Sequence, residues 1–172
     1  MARVPQNIQD AMAKDGVPEH QNHSKYRLEE IETHSEEREL QLRKADNRWG
    51  SGAFGASRSG GRTHYGIDIA AAPGSPIYAL RGGAYTRQNQ PYAGDARYTG
   101  MDIKEADGNI NKYFYVTPLI SIGTAVSKGD LIGRAQDIAA KYPGMDNHFH
   151  FEVRNGGKAL NPFELLPDYV FR

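Results

Sequence analysis

The stretch "NHFHFEV", residues 147–153, alternates Phe149, Phe151 and Val153 with His148, His150 and Glu152. On a β-strand successive side chains point to opposite faces, so the apolar set faces a core and the three polar residues share the other side. Histidines two apart on a strand have Cα atoms about 6.6 Å apart at a rise of roughly 3.3 Å per residue, and both therefore address one small volume. Taken alone, a solvent-exposed strand face that carries imidazoles fits the pattern equally well. What the rest of the chain supplies decides between the two.

A second constellation lies upstream in "RTHYGIDIAAAPGSPIYAL", residues 62–80, where His64 and Asp68 are four apart. That spacing suits one helix face, but Gly66 and the β-branched Ile67 and Ile69 argue for a strand. Fully extended, the two Cα atoms would lie about 13 Å apart, too far for neighbouring ligands of one ion. The chain must bend between them, and Gly66 is the residue that permits it. Asp68 then projects from the strand while His64 folds back from the preceding loop. His64, Asp68 and one of His148 or His150 would give three N/O ligands with a fourth position open, the arrangement of a catalytic zinc site. Zinc there would acidify a water and polarise a peptide carbonyl. The remaining histidine would serve as a proton-transfer or oxyanion partner.

Composition sets outer limits on these readings. The chain has 172 residues and 38% hydrophobic content, enough for one ordinary core with an appendage. Lys+Arg and Asp+Glu both number 21, so no net charge draws the molecule toward nucleic acid or an anionic membrane. The absence of cysteine removes disulfides, thiolate nucleophiles and cysteine-rich zinc knuckles, leaving His, Asp and Glu as the strong metal ligands. The opening "MARVPQNIQDAMAKDGVPEH" has no apolar core of a signal peptide, and no stretch approaches the length of a membrane span, so a soluble protein without membrane insertion is expected.

The texture changes near Asp46. Before it, "SKYRLEEIETHSEERELQLRKAD" is charge-dense, without Gly or Pro, and its apolar positions Tyr26, Leu28, Ile31, Leu40 and Leu42 are too sparse for a full core face. Residues 1–46 read as a polar, largely helical arm that is exposed, held by a protein partner in a larger assembly, or laid over the active groove. His20 and His23 sit in a loop of this arm. After it, residues 47–172 read as a β domain. "YTGMDIKEADGNINKYFYV" gives two strands joined at Asp107-Gly108, and "GTAVSKGDLIGRAQ" gives another pair joined at Lys128-Gly129-Asp130. Antiparallel sheet follows. Trp49, Phe54 and Phe163 are expected in the core, and the glycines at 50, 52, 55, 60 and 61 at turns on a groove rim, since no helix follows them to make a phosphate site.

His-x-x-x-Asp at 64–68 followed by His-x-His at 148–150 resembles the signature of the LytM/lysostaphin-type zinc endopeptidases. "FGASRSGGRTHYGIDIAAAPGSPIYAL", "VSKGDLIGR" and "NHFHFEVRNGGKALNPFELL" are similar to family segments in family order, and the likeness runs from about Asn47 to Pro167. The resemblance implies a mainly β, glycine-rich antiparallel sheet or sandwich with a groove floored by the sheet. It also implies cleavage of peptidoglycan crosslink peptides, zinc ligands His64, Asp68 and His150, and a catalytic His148. Glu152 would either orient a ligating imidazole or be a solvated strand residue. Active members carry one more histidine on a middle strand. Here that stretch is "KYFYVTPLISIG", with Thr117 at or beside the expected position, and a threonine hydroxyl hydrogen-bonds but is no neutral-pH base. Tyr115, Lys112 and Tyr142 are alternative stand-ins. In its second half the chain resembles the leukocyte cell-derived chemotaxin branch, which keeps the zinc ligands, lacks the same histidine and is regarded as a binding protein.

Two functions follow. The first is a zinc-dependent peptidoglycan endopeptidase, delivered without an export signal as a component of a phage tail or similar injection machine. The second is a degenerate zinc-binding domain of the same fold that binds wall peptide or plays a structural part in an assembly. "HYGID" and "VSKGD" also resemble stretches of glucose-class IIA phosphocarriers and biotinyl or lipoyl carriers. Trp49 stands where a phosphocarrier needs a histidine, no Met-Lys-type turn is present, and neither class accounts for His148 and His150.

Overall fold

The computed structural model describes residues 38–45 and 48–172. Twelve strands are formed there: β1 Arg38–Leu40, β2 Ile67–Ala70, β3 Pro76–Tyr78, β4 Gly83–Asn89, β5 Gly100–Lys104, β6 Ile110–Phe114, β7 Val116–Pro118, β8 Ala125–Val126, β9 Leu131–Ala135, β10 His148–Asn155, β11 Lys158–Leu160 and β12 Tyr169–Phe171. The one α-helix among the described residues, α1, is the single turn Pro162–Leu165. It opens on a proline and is capped by Asn161, whose side chain accepts from the Phe163 N–H. No helix among the described residues is long and apolar enough to cross a membrane.

The main sheet has the order β11-β10-β6-β5-β4-β8, with β2 also paired to β10. All its pairings are antiparallel. The strand that carries the His-x-His pair is thus central: β2 lies along one edge of its first half, β11 along the second half, and β6 along the other edge. A smaller sheet, β3-β9-β7, supplies Ile77, Ile132, Val116 and Ala135 to the same core as Phe149, Phe151 and Val153. The expected period-two division of β10 is therefore present, with its aromatic and aliphatic set packed between two sheets.

The hairpin at Asp107-Gly108 forms as the sequence suggests: β5 and β6 pair across five positions, and Gly108 takes a left-handed φ of 94°. The second expected pair does not form. β8 pairs with β4 in the main sheet, whereas β9 pairs with β3 and β7 in the small one. The turn at Lys128-Gly129-Asp130 carries the chain between sheets, because Gly129 N–H donates to Ala79 O and Ala79 N–H to Asp130 O instead of closing a ladder between β8 and β9.

The helical reading of the arm also needs correction at its end. Residues 38–45 are extended: β1 pairs with β12, Leu42 bridges Ile69, and Leu40 and Leu42 pack against the core. Long-range pairing and a period-two apolar pair outweigh the local charge-rich composition there. These residues belong with the β domain, which as a compact unit spans Glu39–Arg172. The remainder of the expected arm, with His20 and His23, lies outside the described residues.

Candidate metal centre

His64, Asp68 and His150 converge. Asp68 stands on β2 directly across from His150 on β10 in the antiparallel register. His64 comes from the preceding loop, tied down by hydrogen bonds from its N–H to Ala56 O and from Gly55 N–H to its carbonyl. His64 Nε2 lies 3.0 Å from Asp68 Oδ1 and 3.1 Å from His150 Nδ1, and His150 Nδ1 lies 2.9 Å from the same Asp68 oxygen. The bend expected at Gly66 is present, but its reason is space. A Cβ at Gly66 would sit 2.4 Å from Phe151 O and 2.7 Å from His150 Nε2, so only glycine lets the His150 ring pass.

The donor set fits a divalent cation. Tetrahedral ligation at about 2.0–2.1 Å places ligand atoms about 3.3 Å apart, close to the three distances above. The outer ring nitrogens are already engaged: His64 Nδ1 with Ala53 O at 2.8 Å, and His150 Nε2 with Glu152 Oε1 at 2.9 Å. If those nitrogens carry the protons, as acceptors opposite them require, both inner nitrogens present lone pairs to one point. Three electron-rich atoms in mutual contact need a cation between them, a proton or a metal.

Electrostatics agree with this arrangement. Burial alone would raise the Asp68 carboxyl, but hydrogen bonds from His150 and His64 outweigh it and hold the group well below its usual range. Burial would likewise depress His150, yet Asp68 and Glu152 on its two sides push it up to about 9. Glu152 is buried, with its second oxygen on Arg154, which answers in favour of a structured residue the choice that the sequence leaves open. Phe114, the register partner of His150 on β6, stacks flat on the imidazole at 5.0 Å between centroids.

His148 faces the same site without joining the cluster. Its Nδ1 meets Asp146 O at 2.9 Å, and its Nε2 lies 3.8 Å from Asp68 Oδ1. Burial lowers its pKa, so at neutral pH the ring is an uncharged base. Tyr115 packs edge-on against it at 5.6 Å. Tyr115 is also the one non-glycine among the described residues with positive φ, at 65°. That left-handed residue turns the chain from β6 in the main sheet into β7 in the small one and aims its side chain into the groove.

The groove has a volume of about 780 Å³. Its wall beyond His148 is aromatic: the Tyr115, Tyr92 and Tyr142 hydroxyls form a chain, with 3.1 Å from Tyr115 to Tyr92 and 2.9 Å from Tyr142 to Tyr92. Burial and neighbouring groups raise the Tyr115 phenol, which therefore stays a proton donor at neutral pH. Trp49, expected in the core, lies instead on the groove lining and meets Tyr142 edge-on at 5.2 Å. Thr117 is exposed on β7, its hydroxyl accepting from Gln136 Nε2 at 3.0 Å, and it does not line the groove. Lys112 is engaged by Asp102 at 3.0 Å. Of the stand-ins raised by the sequence, Tyr115 and Tyr142 reach the groove and Thr117 and Lys112 do not.

Two arginines went unseen in the sequence. Arg43 Nε lies 3.1 Å from Asp68 Oδ2, and Arg58 Nη2 lies 3.5 Å from the same oxygen. The alternation Leu40-Gln41-Leu42-Arg43 carried a strand signal, masked by the surrounding charge.

The model of peptidase family M23 matches residues 62–162, more than half of the chain. The chain belongs to peptidase family M23. Members of this family are typically zinc-dependent peptidoglycan hydrolases. The M23 domain is of the LytM/lysostaphin type. Bovine leukocyte cell-derived chemotaxin-2 is 32% identical over 104 residues, covering 60% of this chain and 67% of that protein, and the mouse protein is 30% identical over 112 residues, covering 65% and 72%. The structure of LytU is similar at 26% identity and a TM-score of 0.55, covering 73% of this chain and 93% of that one. The solution structure of lysostaphin shares the fold at 21% identity and a TM-score of 0.57. The alignment covers 80% of this chain and 57% of lysostaphin.

Proposed function

We propose that the M23 domain is a zinc-dependent endopeptidase that cleaves crosslink peptides of peptidoglycan. The observation that carries this reading is the set of outer contacts on three histidines. Ala53 O, Glu152 and Asp146 O each engage the ring nitrogen remote from the site, so the inner nitrogens of His64 and His150 converge on Asp68 Oδ1 and that of His148 faces the same oxygen from 3.8 Å. His64, Asp68 and His150 would hold the ion, which when bound supplies a Lewis acid and a water of lowered pKa.

The chain's own residues do the remainder. His148, neutral because it is buried, takes the proton of the attacking water at Nε2 and returns it to the departing amine, its tautomer fixed by Asp146 O. Tyr115, which stays protonated, supplies a neutral donor to the groove in place of the middle-strand histidine that the family resemblance leads one to expect, and it packs edge-on against the His148 ring. The tyrosines with Trp49 give the peptide an apolar, hydroxyl-studded surface to lie on.

A second reading has a specific observation in its favour. Among the described residues the histidines are His64, His148 and His150, so none of those residues brings a fourth imidazole to the groove. On that reading the domain binds wall peptide without cutting it. Incubating zinc-loaded protein with purified peptidoglycan, beside a His150→Ala control, separates the two. New crosslink-cleavage products that vanish in the control support the enzyme. Stoichiometric zinc with no products supports the binding domain.

A further inference from the structure

We propose that Arg43 is a positioning residue for the metal site: it occupies Asp68 Oδ2, so that the carboxylate offers only Oδ1 to the ion. The proposal rests on the zinc-binding reading above and extends it to a residue that lies before the region matched by the family, which begins at residue 62.

Three contacts fix the guanidinium. Nε donates to Asp68 Oδ2 at 3.1 Å, and Nη1 donates to Gly50 O at 3.1 Å and Lys44 O at 3.3 Å. The side chain is 1% exposed, so it neither samples other positions nor shares its charge with water. The backbone is held too. Arg43 N–H donates to Asp68 O at 2.8 Å and Ala70 N–H donates to Gln41 O at 2.7 Å, so residues 41–43 run along the edge of β2 that β10 does not use. Gly52 closes the other side of this contact, where a Cβ would stand 3.1 Å from both Arg43 O and Asp68 O.

The strand bearing the carboxylate ligand is thus clamped between the strand that bears His150 and a segment that bears Arg43. A carboxylate with both oxygens free can swing or ligate through both. Here one oxygen meets both imidazoles and the other meets two guanidiniums, Arg58 being the more distant at 3.5 Å. The arginine charge opposes a cation, but it lies beyond the far oxygen while its hydrogen bond to that oxygen is direct. Positioning should therefore outweigh repulsion.

The test measures zinc affinity of the full chain by competition with a chromophoric chelator, for the native protein, Arg43→Gln and Arg43→Lys, with circular dichroism to verify folding. Loss of an outer partner of a ligand typically costs about 10–100-fold in metal affinity. Arg43→Gln is expected in that range, and Arg43→Lys, which keeps the charge but loses the fixed fork, at a smaller loss. Cobalt in place of zinc adds a signature: its visible absorption should weaken in Arg43→Gln as Asp68 gains a second ligating oxygen. Folded variants with affinities within about twofold of native and an unchanged cobalt spectrum overturn the proposal. If Arg43→Gln does not fold, the folded Lys variant decides by the same criterion. A native chain that binds no zinc overturns the underlying zinc reading instead, and the proposal with it.

Discussion

The two walls of the groove are built on different principles. On the wall that carries Asp68, Oδ1 of that carboxylate meets His64 and His150, Oδ2 meets Arg43 and Arg58, and the outer nitrogens of the two imidazoles meet Ala53 O and Glu152, so that carboxylates face guanidinium and imidazole groups. The wall made by Tyr92, Tyr115 and Tyr142 carries hydroxyls that bond mainly to one another. On the proposed reading the first wall would hold an ion in one geometry. The second leaves room for hydroxyl donors to rearrange around a peptide, and its three tyrosines contribute no imidazole or carboxylate. The pairing suggests that metal binding and turnover are separable properties of this domain, and substitutions on each wall can show whether they are.

The largest effect is expected from His150→Ala. It removes one of three converging donors and strands Glu152 without its imidazole, so zinc affinity should fall by more than the roughly 100-fold upper range for loss of an outer partner. Release of muropeptides should drop to background with it. Chelator competition and chromatography of digested peptidoglycan read the two together. His148→Ala should behave differently. Its inner nitrogen is 3.8 Å from Asp68 and outside the cluster, so zinc affinity should stay within a few-fold while kcat falls by about 100-fold or more, the usual contribution of a positioned acid or base. Equal loss of affinity in both variants would show that His148 is a ligand and that the division drawn between the walls is wrong.

On the aromatic wall, Tyr115→Phe keeps the edge contact with His148 and deletes only the hydroxyl. Loss of one oxyanion donor commonly costs about 100-fold in kcat, and this variant should approach that with KM little changed. Thr117→Val should leave kcat/KM within about twofold, because its hydroxyl is spent on Gln136. Steady-state kinetics on a soluble crosslink peptide compare the two. The opposite ranking would move the missing donor from Tyr115 to the strand that follows it.

Much of the first wall was legible because its signals are local. Period-two alternation places His148, His150 and Glu152 on one face of β10, and His64-x-x-x-Asp68 with a glycine between announces a bend. What was illegible depended on long-range pairing. Arg43 sits in a run whose charge density mimics a solvated helix, and only the hydrogen bonds to Asp68 O and from Ala70 N–H turn that run into an edge strand. Trp49 looked like core because tryptophan usually is, yet it lines the groove and packs edge-on against Tyr142. Tyr115 and Thr117 are two residues apart, and choosing between them required the left-handed backbone at Tyr115, which period-two reasoning does not foresee in a tyrosine. The turn at Gly129 was visible, but whether it closes a hairpin or changes sheet depends on Ala79 far away in sequence.

The first wall also makes a prediction about pH. In the metal-free chain the imidazole of His150, pushed up to about 9, carries the cation that the cluster requires. A histidine has an unfolded pKa near 6.5, so this raised value contributes stability fully present below about pH 6.5 and lost as pH rises through about 9. The metal-free melting temperature should therefore decline across that window. Zinc takes the proton's place, so the loaded protein should decline much less over the same range. Zinc must expel that proton to bind below pH 9, and affinity should rise about tenfold per pH unit between roughly 7 and 9, with close to one proton released per ion. Calorimetry in buffers of different ionisation enthalpy counts the proton directly. A count near zero at pH 7 would mean that the cluster is already deprotonated and preformed for metal, and the charge balance assigned to this wall would have to place its cation on the arginines alone.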